Sequence, residues 1–315
     1  MRIAFLGKGG SGKTTLSGNF ANYLNAKNKK VLLVDADINM HLNTLVGIDR
    51  KNIKPLSDNG KLIENYINKN RSDVENIPFI GSMPPTLKSN FIKGIDDEFL
   101  NQISCTNDKG LKFMAIGNYN DSDVGVNCYH TKTDNYIKFL NHFLDKNDDI
   151  MIADSVTGID NIGNPLIYSY DLNVIVVEPN QKSLGIYKDF IKGLENLGID
   201  LNLKVVGNKV MDDEDILFLK KNIKSEHFLC YLKKSKNMKN FDRGDEEGLG
   251  LFMKEHEDIF DKIYNHLISV KKDYEKYYKN ILDNHKFVSN SYYNDYYNID
   301  FNKFIDPDFN FNKVL

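Results

Sequence analysis

The chain has 315 residues, 41% hydrophobic and 27% charged, with a formal net charge of -3. That length suits one sizeable α/β core with an appendage, or two small domains, and the near-neutral balance gives no strong pull toward nucleic acid. No run approaches the ~20 apolar residues of a membrane span, the N-terminal residues do not read as a signal peptide, and the 3 cysteines, Cys105, Cys128 and Cys230, make no disulfide framework. The expectation is a cytoplasmic protein with neither nucleic acid nor membrane as a partner. Abundant Lys, Asn and Tyr with no Trp read as genome composition bias.

Arg2-Ile3-Ala4-Phe5-Leu6 is a short apolar run that predicts a buried parallel strand. Gly7-Lys8-Gly9-Gly10-Ser11-Gly12-Lys13-Thr14-Thr15 follows it. From Leu16 to Leu24 the apolar positions 16, 20, 21 and 24 fall on one helical face. Strand, glycine loop and helix are the context that a G-x-x-x-x-G-K-[ST] match requires. Triphosphate carries dense negative charge, and backbone N–H groups bind it only where the chain can curl and approach closely, which glycine permits. The helix start aims further N–H groups at the anion. ATP is therefore the expected ligand of Gly9, Gly10, Ser11, Gly12, Lys13, Thr14 and Thr15, with Lys13 on the β- and γ-phosphates and the Thr14 hydroxyl on Mg²⁺.

Lys8 is not needed to fold this loop. It resembles the signature lysine of the deviant Walker A family that includes nitrogenase iron protein, the septum-site and partition ATPases, and the carbon monoxide dehydrogenase maturation ATPases. The resemblance implies an α/β P-loop NTPase with a doubly wound, mostly parallel sheet flanked by helices. It also implies an ATP-dependent homodimer in which Lys8 reaches the nucleotide held by the partner, and a client metalloenzyme or other partner protein.

Lys30 to Asp37 reads as a second buried strand ending in two carboxylates, Asp35 and Asp37. Ligands gather at such strand ends in doubly wound folds. By resemblance Asp37 belongs to switch I, near Mg²⁺ and the attacking water; Asp35 also reads as a helix N-cap. Ile38 and His41 depart from the proline and asparagine common in the family, which bears on the hydrolysis rate rather than on binding. Residues 50–75 read as loops with one helix, Pro78 to Gly81 as an edge strand, and Leu111 to Gly117 as a strand.

Asp123 to His130 precedes an expected amphipathic helix from Asp134 to Leu144. The maturation ATPases carry a C-x-C at this place and pair it across the dimer around a metal. Here the pair is Cys128 and His130, and two chains would offer two thiolates and two imidazoles, a set that suits Zn²⁺, or Ni²⁺ or Cu²⁺ in other geometries. A loop cysteine and histidine serving packing is the plainer alternative. Asp148 to Gly158 is an apolar strand in which Asp154 takes the Walker B position on the Mg²⁺ shell, with Gly158 matching the switch II glycine. No cysteine follows Asp154 as far as Asn164, which disfavours a shared iron–sulfur cluster and a reductase role.

Leu172 to Pro179 predicts another strand, followed by a helix from Ser183 to Leu197. Leu203 to Val210 is the last strand expected in the core. Its end, Asn208-Lys209, matches the family's adenine site, where an amide complements the base edge and a lysine stem lies along the ring. A helix is expected within 212–225 and a closing helix from Leu249 to Val270. The expected division is an ATPase domain at 1–270 and a Tyr- and Asn-rich extension at 271–315, the latter a short helix and a tail lying on the body or on a partner. The sum is an ATP hydrolase acting as a dimerising switch, with metallocentre maturation as its role. The alternatives are a positioning ATPase without a transition metal and an ATP-dependent enzyme acting on a small molecule.

Overall fold

The computed structural model describes residues 1–37, 40–117, 129–156 and 165–315, with residues 129–132 and 165 described by backbone alone. Strand β1 (Arg2–Gly7) leads into α1 (Lys13–Ala26), and β2 (Lys30–Ala36) into α2 (Leu42–Leu45) and α3 (Gly60–Ile67). Then come β3 (Ile92–Lys93), α4 (Leu100–Ile103), β4 (Cys105–Thr106), β5 (Lys112–Ala115), α5 (Tyr129–His142), β6 (Phe143–Leu144) and β7 (Asp149–Ser155). The second half runs β8 (Leu172–Val177), α6 (Gln181–Leu197), β9 (Leu203–Val210), α7 (Asp213–Asn222), β10 (Phe228–Lys233), α8 (Lys236–Phe241), α9 (Glu247–Glu255), α10 (Glu257–Ser269), α11 (Tyr274–Val288) and α12 (Asn294–Tyr297).

Among the described residues an eight-stranded sheet has the order β10-β9-β8-β1-β7-β2-β5-β4, and β3 pairs with β6 apart from it. Within the large sheet only β4 runs antiparallel to its neighbour. Successive residues of one strand bury on opposite faces. Ala4, Leu6, Leu32 and Val34 join one core with Ile63 of α3, Tyr136 and Phe139 of α5 and Phe190 of α6. Ile3, Phe5, Val31 and Leu33 join the other with Leu16, Phe20 and Leu24 of α1 and Phe260 and Ile263 of α10. Helices on both faces explain why these strands read as unbroken apolar runs. The expected doubly wound, mostly parallel α/β fold is present.

Four local expectations differ from the structure. Pro78 to Gly81 forms no strand; Phe79 and Ile80 are buried in an irregular segment instead. β10 extends the sheet beyond β9, with two register irregularities. The helix expected from Leu249 to Val270 is two helices meeting at His256, whose ring nitrogens lie at hydrogen-bond distance from two acceptors, the carbonyls of Phe252 at 3.1 Å and Lys233 at 3.2 Å. Finally, α11 is 15 residues long rather than short.

Residues after 270 lie on the body. The Arg2 guanidinium, wholly buried at the start of β1, donates to Tyr277 Oη at 3.1 Å and to Asp145 Oδ1 at 2.8 Å. Tyr277 Oη in turn donates to Leu140 O at 2.9 Å. Phe309 stacks on Phe91 and Phe311 on Tyr277, with ring centroids 6.0 and 5.3 Å apart. This network sits at the amino ends of the strands, opposite the glycine loop.

Candidate functional site

β1, β7 and β2 are adjacent, and their register brings Phe5 beside Asp154 and Asp154 beside Asp35. Three carboxyl ends thus meet where the glycine loop leaves β1. The loop needs its glycines: Gly10 and Gly12 have φ of 81° and 92°, a region that disfavours side chains. A Cβ on Gly12 would also collide with the Asn208 amide, whereas nothing lies within 4 Å of a Cβ built on Gly9 or Gly10. The loop is packed on one side and open on the other. Ser11 N–H closes on Lys8 O at 3.0 Å, and Leu16 N–H on Gly12 O at 2.9 Å starts α1.

Lys13 and Thr14 begin α1 and face the strand ends. Lys13 Nζ donates to Asp37 Oδ2 at 3.0 Å, with both side chains largely buried. Burial disfavours the Lys13 charge, but Asp154 and Asp37 outweigh it and hold the ammonium above its ordinary range. Thr14 Oγ1 donates to Asp154 Oδ2 at 2.6 Å. Burial pushes the Asp154 carboxyl up to about 6. Burial, with Asp154 adding to it, pushes Asp35 up to about 8.

Asp35 is the residue that sequence reasoning undervalued. It caps no helix from the N-cap position, which His41 holds; its oxygens accept from Asp37 N at 3.2 Å and Leu42 N at 3.1 Å and so fold the chain end of β2 back toward α2. The signal was present as a carboxylate inside an apolar strand, where an unsatisfied charge is costly.

The donor set suits a hard divalent cation. Asp154 Oδ1 is buried with no hydrogen-bond partner among the described residues, while its Oδ2 accepts from the Thr14 hydroxyl. A carboxylate and a hydroxyl are oxygen ligands of the kind Mg²⁺ takes, together with substrate phosphates and water. Thr14 and Asp154 would hold that ion, with Asp37 nearby, and it would neutralise phosphate charge.

On the outer side of the loop, Asn208 Nδ2 donates to Ser11 O at 2.7 Å, and Asn208 Oδ1 accepts from Lys209 N–H at 2.9 Å. Lys209 Nζ donates to Gly10 O at 2.6 Å and to Glu178 Oε1 at 2.5 Å. The pair expected to read adenine therefore also braces the loop. Lys8 is half-buried; its carbonyl is held by Ser11 N–H, and its ammonium makes no hydrogen bond or ion pair among the described residues. Thr15 lies one residue into the same helix turn and its carbonyl accepts from Asn19 Nδ2 at 2.8 Å.

Gly158 and Cys128 fall outside the described residues, as does the side chain of His130. Among the described residues no group of three His, Cys, Asp or Glu side chains could hold a metal ion, and no helix is long and apolar enough to cross a membrane.

A glycine loop between the first strand and first helix, opening at the carboxyl ends of a parallel doubly wound sheet, defines a P-loop nucleotide-binding fold. Residues 3–295 match the family described as the CobQ/CobB/MinD/ParA nucleotide binding domain, and the chain belongs to that family. It is 31% identical over 227 residues to an uncharacterized ATP-binding protein of Methanocaldococcus jannaschii, spanning 72% of this chain and 81% of that one. It is 27% identical over 222 residues to the carbon monoxide dehydrogenase accessory protein CooC of Rhodospirillum rubrum, spanning 70% of this chain and 78% of that one. The MinC:MinD cell division protein complex of Aquifex aeolicus has a similar fold, with a TM-score of 0.54 at 20% identity over 86% of this chain and 97% of that chain. The family resemblance drawn from Lys8 and the strand-end motifs is borne out.

Proposed function

We propose that this chain is a Mg²⁺-dependent ATPase switch that closes as a homodimer on ATP and reopens on hydrolysis. The observation that carries the reading is the meeting of Lys13 and Thr14, from one helix start, with Asp37 and Asp154, from two strand ends. Water would attack the γ-phosphorus, the bond to the β,γ-bridging oxygen would break, and ADP and phosphate would leave. Asp37 would orient the water. Lys13 would leave its carboxylate partner for the β- and γ-phosphate oxygens, and Lys8 would stabilise charge on the partner's nucleotide. Gly158 N–H would sense the γ-phosphate, and Asn208 and Lys209 would hold adenine. Positioning and electrostatics supply such catalysis.

The finer role we propose is that of an accessory to a client metalloenzyme, a reading supported by the similarity to the carbon monoxide dehydrogenase accessory protein. Cys128 and His130 from two chains would hold one Zn²⁺ or Ni²⁺ at the dimer seam.

The test combines calorimetry with Mg²⁺ and ATP, phosphate release, and metal content of the purified dimer. Heat, turnover and one metal per two chains, lost in Cys128→Ala, are expected. No heat and no change in oligomer size at millimolar ATP would overturn the whole reading. A metal-free dimer that still turns over ATP would overturn the metallocentre role and leave a positioning switch.

A further inference from the structure

Resting on that nucleotide reading, we propose that Glu178 is a positioning residue for the phosphate loop, acting through Lys209 on the turn that carries Lys8. Glu178 follows β8, whose Val176 lies in register with Gly7 at the loop's start. It is fixed from its own side: Asn180 Nδ2 donates to Glu178 Oε2 at 2.9 Å, and Glu178 N–H donates to Ser183 Oγ at 3.0 Å. Asn180 is also the N-cap of α6, accepting from Ser183 N–H at 2.9 Å. The carboxylate is thereby anchored to a helix start rather than waving in solvent.

Its other oxygen, Oε1, holds Lys209 Nζ, and the same ammonium holds Gly10 O. Lys209 reaches across with φ of 59°, a conformation unfavourable for lysine and maintained by these contacts. Gly10 O belongs to the peptide whose N–H, from Ser11, closes the turn on Lys8 O. Pinning that carbonyl fixes the peptide plane and with it the crown of the loop. One residue further, Asn208 pins Ser11 O, and the trans peptide then points Gly12 N–H the opposite way, toward the open side. Glu178 thus makes Lys209 a brace with one orientation. Burial works against the Glu178 charge, but its bond to Lys209 holds the carboxyl below the usual range.

The experiment is a titration of fluorescent ATP with Mg²⁺ into wild type, Glu178→Gln, Lys209→Met and the double variant, with steady-state turnover and thermal midpoints. Methionine keeps the lysine stem and removes its ammonium. Each single change should weaken ATP binding roughly tenfold, the scale of one charge-assisted hydrogen bond. The double variant should bind no worse than Lys209→Met alone, since both changes break one linkage. In Glu178→Gln the KM for ATP should rise while kcat at saturation changes less than about twofold, because the residue acts on binding geometry. Unchanged affinity in Glu178→Gln, or losses that add in the double variant, would overturn the proposal while the nucleotide site stands. A wild type that binds no ATP would overturn both.

Discussion

Thr14 Oγ1 donates to Asp154 Oδ2 at 2.6 Å, tying the first turn of α1 to the end of β7 across 140 residues of sequence. Among the described residues one Asp154 oxygen accepts a hydrogen bond and the other is buried without one. Asp154→Asn keeps the shape and an acceptor for Thr14 but removes the charge. ATP binding should lose its Mg²⁺ dependence, and turnover should fall by roughly 100-fold, the scale of one strong electrostatic contact. Phosphate release across a Mg²⁺ series checks this, and a wild-type profile in the variant would refute it.

The two loop lysines should separate cleanly. Lys13 lies inside the carboxylate cluster, so Lys13→Ala should weaken ATP binding by at least about 100-fold through loss of a charge-assisted contact. Lys8 sits at the half-exposed lip of the loop. Lys8→Ala should bind ATP as a single chain yet fail to pair. Light scattering with and without ATP reads the difference; pairing that survives the change removes the trans role.

Asp35 gives a pH signature. Its folded value of about 8 lies above the ordinary 3.8. The folded chain therefore binds that proton more tightly than the unfolded chain does. The resulting stability is complete below pH 3.8 and is lost as pH rises through about 8. Asp154 behaves alike, with its loss passing through about 6. Asp35→Asn has no proton to lose, so its stability relative to wild type should climb by on the order of 4 kcal/mol between about pH 5 and about pH 9. Urea titrations at a series of pH values measure it; a difference that stays flat would show that Asp35 is ionised throughout.

Tyr277 tests the far end of the sheet. Tyr277→Phe removes one hydroxyl that both accepts from Arg2 and donates to Leu140 O. Unfolding free energy should drop by about 1 kcal/mol, because Arg2 and Leu140 O each lose one buried bond while keeping their 3.2 Å bond to each other. ATP affinity should hold, since the strands separate this network from the loop. Denaturation midpoints together with an ATP titration decide the matter, and a weakened affinity would mean that the two ends of the sheet are coupled.

The apolar strands and the loop were legible because their signals are local. Arg2 to Leu6, Lys30 to Ala36 and Leu172 to Val177 are continuous apolar runs, and the glycines fall where the backbone turns. What escaped was non-local. β10 is half-buried at a sheet edge, so its pattern is weak and its register irregular. Phe79 and Ile80 look like strand residues but are buried by packing rather than by a ladder. The bracing of Gly10 and Ser11 by Lys209 and Asn208 spans 199 and 197 residues, and no spacing rule reports a contact at that range. The closing helix is interrupted at His256, whose ring lies on two carbonyls, one of them 23 residues away, a contact that composition cannot foretell.

The Arg2 contact with Tyr277 spans 275 positions. During synthesis β1 leaves the ribosome long before α11 exists, and its guanidinium must wait in water or on Asp145 and the carbonyls of Leu140 and Phe143. Closure of such distant contacts is slow because the intervening chain must first be ordered. A segment made late thus decides when a residue made early is sealed from solvent.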